Sequence, residues 1–310
     1  MGPREHQPAM VAEVLQWLAP QPGAVIVDAT VGGGGHALEI CRRLGPQARL
    51  IGIDSDDAAL ERAQRRLSGW PVTLVRDNFR NLDSILDNLG MEVVDGVLFD
   101  LGASLEELTT PERGFSFRLE GPLDARMDRR LPTTAADLLN RLPEAELARI
   151  FFEYGQERWA RRIARRVVQR RRQAPFRTTA EFAAMVTAAY PASARSPRIH
   201  PATRAFQALR IAVNDELTAL VAGLEAAIRR TRIHGRVVVL TYHTLEERAT
   251  KATFQRLARP CRCPPLQAIC TCEGRPMIRI LTPRPIGPGA QEIAANPQAR
   301  SAKLRAAERI

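Results

Sequence analysis

Four consecutive glycines, Gly32 to Gly35, stand between a strand pattern and a helix pattern. The segment runs Val25-Ile-Val-Asp28-Ala-Thr-Val-Gly-Gly-Gly-Gly-His36, and a second apolar run, Leu50 to Ile53, ends in Asp54. This spacing predicts a βαβ unit whose first turn lets a ligand approach the backbone and whose second strand ends in a carboxylate. Glycine lacks the Cβ that bars positive φ and close contact, so a nucleotide-like cofactor can lie on that turn. Asp54 is then placed to accept hydrogen bonds from a ribose diol. The turn alone leaves the cofactor open, because Gly32, Gly34 and Ala37 also satisfy the dinucleotide pattern G-x-G-x-x-A.

Helix and strand patterns alternate from about residue 7 to 110. Strands are expected at 24–29, 49–54, 72–76 and 94–100, and strand logic resumes at Val237–Leu240 and Met277–Leu281. Such alternation predicts a parallel sheet covered on both faces, with ligands bound beyond the carboxyl ends of the strands. Asp28, Asp54, Asp77 and Asp100 all fall at those ends, so they should ring one crevice. After Asp100 the rhythm breaks. Residues 105–132 are rich in loops, 134–190 read as helices only, and one long helix is expected over 202–230. The expected organisation is therefore an α/β domain over 1–104 and 206–310, interrupted by a mostly helical insertion at 105–205.

The net charge of +11 favours a polyanionic partner. Lysine occurs only at Lys251 and Lys303, so the basic surface is almost all arginine. Residues 158–172 carry eight arginines around an apolar stripe of Trp159, Ile163 and Val167. The stripe reads as core packing, and the arginine face as either solvated or phosphate-binding. No apolar run approaches the roughly 20 residues of a membrane helix, and no signal-peptide pattern opens the chain, so a cytoplasmic protein is expected. Cys261-x-Cys263 and Cys270-x-Cys272 could supply four thiolates to zinc, but C-x-C is less typical of such sites than C-x-x-C. No metal is assigned.

The later segments narrow the choice of cofactor. Asp100-Leu-Gly-Ala-Ser-Leu-Glu-Glu-Leu108 follows the fourth strand, then come Arg113-Gly-Phe-Ser-Phe117 and Gly121-Pro-Leu-Asp124. His200-Pro-Ala-Thr-Arg204, Tyr242-His-Thr-Leu-Glu-Glu-Arg248 and Arg300-Ser-Ala-Lys-Leu-Arg305 follow in order. From His6 to Arg309 this succession resembles the bacterial 16S ribosomal RNA (cytosine-N4)-methyltransferase family, RsmH or MraW. Departures are local: Ala103–Glu107 stands where the family usually has V-S-S-P-Q, and Tyr242, Thr244 and Glu247 replace its usual Phe, Ser and Asp.

The resemblance implies a class I, Rossmann-like, S-adenosyl-L-methionine-dependent methyltransferase fold with an inserted helical domain. It implies methylation at N4 of a cytosine in the decoding region of 16S rRNA within the small ribosomal subunit, cytosine 1402 in standard rRNA numbering. It allows a homodimer. Carried over by position, cofactor contacts fall on Gly32, Gly34, Gly35, His36, Asp54, Phe79, Asp100 and Glu107. Phe79 would offer a face for adenine, and the glycine turn would border the methionine moiety. The cytosine N4 lone pair is delocalised into the ring, so an acceptor must hold the N4 hydrogens as the nitrogen attacks. Asp100 is the expected catalytic group. Phe115 and Phe117 are candidates to clamp the unstacked base, and His200 and Arg204 to contact RNA.

Two other classes compete on the residues alone. An NAD-linked oxidoreductase could use the same βαβ unit, but it leaves the loop after Asp100 and the positive charge without a reason. A non-catalytic ribosome-assembly factor would be expected to carry damaged cofactor residues, whereas the turn, Asp54 and Asp100 are intact.

Overall fold

The computed structural model describes residues 8–191, 200–261, 263 and 274–310. They form two compact units, one of Met1–Gly102 with Leu217–Ile310, the other of Ala103–Glu216.

In the first unit, α1 (Val11–Leu18) precedes β1 (Val25–Asp28), α2 (Gly35–Leu44), β2 (Arg49–Asp54), α3 (Asp57–Arg66), β3 (Val72–Arg76), α4 (Leu82–Asn88) and β4 (Val94–Asp100). The sheet order is β3-β2-β1-β4-β5-β7-β6, where β5 is Thr231–Thr241, β6 is Ile278–Ile280 and β7 is Lys303–Arg309. Strands β1 to β5 pair in parallel, and β7 runs antiparallel between β5 and β6. The order reverses between β1 and β4, which opens a crevice beyond their carboxyl ends.

Alternation along each strand explains why helices cover both faces. Ile26, Leu50, Leu98, Val238 and Leu304 join one core with α1 and α2 residues such as Val14 and Ile40. Val27, Ile51, Val97, Phe99 and Val239 join the opposite core, with Leu82 and Ile85 of α4. Side chains in a strand alternate faces, so a strand buried on both must be apolar throughout. Glycine serves the packing at Gly96, where a Cβ would stand 2.9 Å from Leu18 Cδ1 and 3.2 Å from the Arg236 carbonyl oxygen.

The second unit holds α5 (Leu105–Thr109), α6 (Ala135–Arg141), α7 (Glu144–Glu153), α8 (Ala160–Arg171), α9 (Thr179–Ala189) and α10 (Ala202–Asn214). Ile163 and Val167 are fully buried beside Leu147, Phe151, Phe182 and Phe206, so the apolar stripe of α8 is core. The arginine-rich face of α8 is exposed at Arg161, Arg162, Arg165 and Arg166. Arg171 instead donates to the carbonyls of Leu139 and Leu142, both at 2.7 Å.

Two expectations about organisation change. The single helix over 202–230 is two, α10 and α11 (Glu216–Arg230), broken at Asp215, whose φ of 48° is left-handed. The unit boundary follows the break to residue 216, rather than 205, because Ala205, Phe206, Ala208 and Leu209 pack into the helical core. Strand β7 was not expected, since its Lys-Leu-Arg-Ala-Ala-Glu-Arg pattern is too polar to signal a buried strand.

Candidate functional site

The crevice of the first unit is built where β1, β2 and β4 end. Asp28 and Asp54 close β1 and β2, Asp100 closes β4, and Asp77 directly follows β3. Gly32 and Gly34 have left-handed φ values of 51° and 80°. A Cβ on Gly32 would meet only the Thr30 carbonyl, at 3.9 Å, whereas one on Gly34 would stand 3.3 Å from Ala63 and Leu67 of the α3 layer. Gly32 therefore leaves an open backbone edge, while Gly34 lets α3 pack against the turn. Gly35 meets Pro8 in the same way, at 3.1 Å.

Asp54 is fixed by backbone. Its Oδ2 accepts from Gly32 N at 2.9 Å and its Oδ1 from Asp56 N at 2.9 Å. Burial raises its carboxyl to about 6, against the lowering effect of these amides. A carboxylate offers about four acceptor positions, and the Ser55 amide also uses one, which leaves room for a further donor. Asp28 is 1% exposed, and burial pushes it up to about 7; His36 opposes the rise, while Asp100 and Asp54 add to it.

His36 opens α2 and is 5% exposed. Its Nε2 lies 2.8 Å from the Ala9 carbonyl, which can only accept, so Nε2 carries a proton. Its Nδ1 lies 3.3 Å from Asp100 Oδ2 and can donate there only as imidazolium. Burial disfavours that charge, but the hydrogen bond and charge of Asp100 outweigh it and raise His36 above its usual value. The His36 ring ties α2 to Asp100.

Two partners of Asp100 were missed. Thr30 Oγ1 accepts from Asp100 N at 2.6 Å, and the Tyr242 hydroxyl donates to Asp100 Oδ1 at 2.8 Å. Tyr242 follows β5, 142 residues away in the chain, and no local pattern could have paired it. Phe79 opens a turn just past β3. Its ring is half-buried, edge-on to Phe99 with centroids 5.5 Å apart.

The remaining candidates lie in the second unit. Glu107 caps α5 by accepting from Ser104 N at 2.8 Å through Oε2, and its Oε1 pairs with Arg113 at 3.3 Å. Both oxygens are thus engaged within the unit, which gives Glu107 a structural role beside the expected cofactor contact. Phe115, expected as a base clamp, is 6% exposed and packed under the Arg113 guanidinium, a core position. Phe117 is half-buried and stacks on His200, centroids 4.4 Å apart. His200 Nδ1 accepts from Ala202 N at 3.1 Å, at the start of α10. Arg204 is exposed and donates to the Gln156 carbonyl at 3.3 Å. Phe117 and His200 come together, and Phe115 does not join them.

Cys41 is fully buried in the core, which pushes its thiol up to about 11. Cys270 and Cys272 lie outside the described residues. Among the described residues, no helix is long and apolar enough to cross a membrane.

The family model of the MraW methylase family matches residues 3–310. A protein of Geobacter sulfurreducens named ribosomal RNA small subunit methyltransferase H is 52% identical over 307 residues, covering 98% of this chain and 99% of that protein. The protein of the same name from Symbiobacterium thermophilum is 50% identical, covering 98% and 96%. That from Heliobacterium modesticaldum is 47% identical, covering 98% of each.

Proposed function

This chain belongs to the MraW methylase family, and from that premise we propose how its crevice serves methylation. The activity is S-adenosylmethionine-dependent methylation of small-subunit ribosomal RNA. We propose N4 of a cytosine in the decoding region as the acceptor, and the cytoplasm, where that RNA is assembled, as the compartment.

The cofactor assignment rests on the family match and on three acids, Asp28, Asp54 and Asp100, gathered at the ends of β1, β2 and β4. Burial is the main cause of the raised Asp28, and repulsion from Asp100 and Asp54 adds to it. A cationic ligand relieves that repulsion, and the anionic pyrophosphate of a dinucleotide would increase it. S-adenosylmethionine is cationic at its sulfonium and its amine, so the residues present fit it. When bound, it supplies an electrophilic methyl group on sulfur.

The chain's own residues divide the remaining work. Asp54 accepts from the ribose hydroxyls with the acceptor capacity that its amide partners leave. The open edge at Gly32 admits the ligand, and Phe79 offers its exposed face to adenine. Asp100 holds the N4 hydrogens, lets the nitrogen pyramidalise, and takes the proton released as the N–C bond forms and the methyl–sulfur bond breaks, its electron pair leaving on sulfur. In the second unit, the exposed arginines of α8 face phosphates, while Phe117 with His200 offers a stacking surface.

The test is methyl transfer from labelled S-adenosylmethionine to small subunits lacking the modification, followed by mass mapping of the RNA. One methyl on N4 of a decoding-region cytosine is expected. Methylation at ring carbon or at a ribose would overturn the acceptor assignment.

A further inference from the structure

Asp100 has a donor on each oxygen. Tyr242 donates to Oδ1 at 2.8 Å, and His36 Nδ1 stands 3.3 Å from Oδ2. Two donors on opposite oxygens stop the carboxylate from rotating about its last bond, while each oxygen retains a lone pair. The Asp100 side chain is 20% exposed, so those lone pairs still reach the crevice.

Tyr242 is itself held on three sides. Its backbone N donates to Glu246 Oε2 at 2.8 Å. Its ring packs on the core beneath β1 and β5, and lies 3.5 Å from the Cβ position of Gly102. Strand pairing sets Asp100, the last residue of β4, opposite Leu240, so Tyr242 lies two residues beyond that paired end. Burial, together with the charge of Asp100 and the bond to it, raises the phenol well above its usual value, which keeps the hydroxyl protonated and a donor.

We propose that Tyr242 is a positioning residue for methyl transfer, its hydroxyl orienting the Asp100 carboxylate toward the attacking amine. This rests on the reading of Asp100 as the group that holds the N4 hydrogens. Tyr242 touches neither substrate nor cofactor in this role. It acts by removing the rotational freedom that Asp100 would otherwise lose at the moment of reaction.

The experiment is a cycle of Tyr242→Phe, Asp100→Ala and the double variant, assayed by single turnover on unmodified small subunits at saturating cofactor. Cofactor affinity is measured by calorimetry alongside. Tyr242→Phe keeps the packed ring and should slow transfer about tenfold, as for loss of one hydrogen bond to a charged group, with cofactor affinity unchanged. In the Asp100→Ala background the same change should have no further effect. A wild-type rate for Tyr242→Phe, with Asp100→Ala slow, would overturn the role of Tyr242 alone. A wild-type rate for Asp100→Ala would overturn the reading of Asp100 and the positioning role together. An equal loss in both backgrounds would show that the hydroxyl acts elsewhere, and would also overturn the proposal.

Discussion

The ring of Phe79 lies flush against the backbone of Gly223. A methyl group on that glycine would stand 2.7 Å from Phe79 Cδ2 and 3.2 Å from its carbonyl oxygen. Helix α11 can approach the end of β3 only because residue 223 has no side chain. The aromatic assigned to adenine is therefore set by a residue of a distant helix.

Gly223→Ala should push the Phe79 ring from its seat. Overpacking of this kind costs about 1–3 kcal/mol of stability. If Phe79 meets the adenine, cofactor affinity should also fall, by about tenfold, the scale of one lost aromatic contact. Calorimetric titration beside a denaturant melt separates the two. A stability loss with unchanged affinity would remove Phe79 from the site.

Asp54→Ala removes an acceptor that two backbone amides hold in place. Cofactor affinity should drop by about 1.5–3 kcal/mol. Because the wild-type carboxyl ionises near 6, binding of the cationic ligand should weaken as pH falls below that value. Affinity that stays level in acid would count against Asp54 as the ribose acceptor.

Asp28→Asn should stabilise the protein, and more so at higher pH. The unfolded carboxyl ionises near its ordinary value of 3.8 and the folded one near 7. Between these values the folded chain holds a proton that the unfolded chain does not, so stability falls as pH rises through the window. The whole fall is about 4 kcal/mol, and asparagine does not suffer it. Melting temperatures measured from about pH 5 to about pH 8 should show the variant gaining steadily on the wild type. A constant difference would mean that Asp28 does not titrate there.

Neutralising Arg161, Arg165 and Arg166 together should weaken binding to small-subunit RNA and flatten its salt dependence. Three lost phosphate contacts lower the slope of log affinity against log salt by about two. An unchanged slope would assign this face of α8 to solvent. Arg171 is a poor choice for this test, because it holds the carbonyls that end α6.

The local chemistry of this chain is legible in its sequence. Strand periodicity, the glycine run and acids at strand ends each depend on residues within one turn or one strand of each other. They marked β1, α2, β2, β3 and β4, and they marked Asp28, Asp54 and Asp100 as neighbours. The stripe of Ile163 and Val167 on α8 was equally plain, since burial of a helix face imposes its own spacing. Tertiary structure decided what those residues do. The polar strand β7 is held by pairing with β5 and β6, not by its own pattern. The break at Asp215 places α10 in the helical core. Phe115, alike in sequence to Phe117, is buried where Phe117 is not. The His36 ring and the Tyr242 hydroxyl meet Asp100 because α2 and the end of β5 converge beyond β4. Such contacts join residues far apart in the chain, and only the packed sheet sets the distance between them.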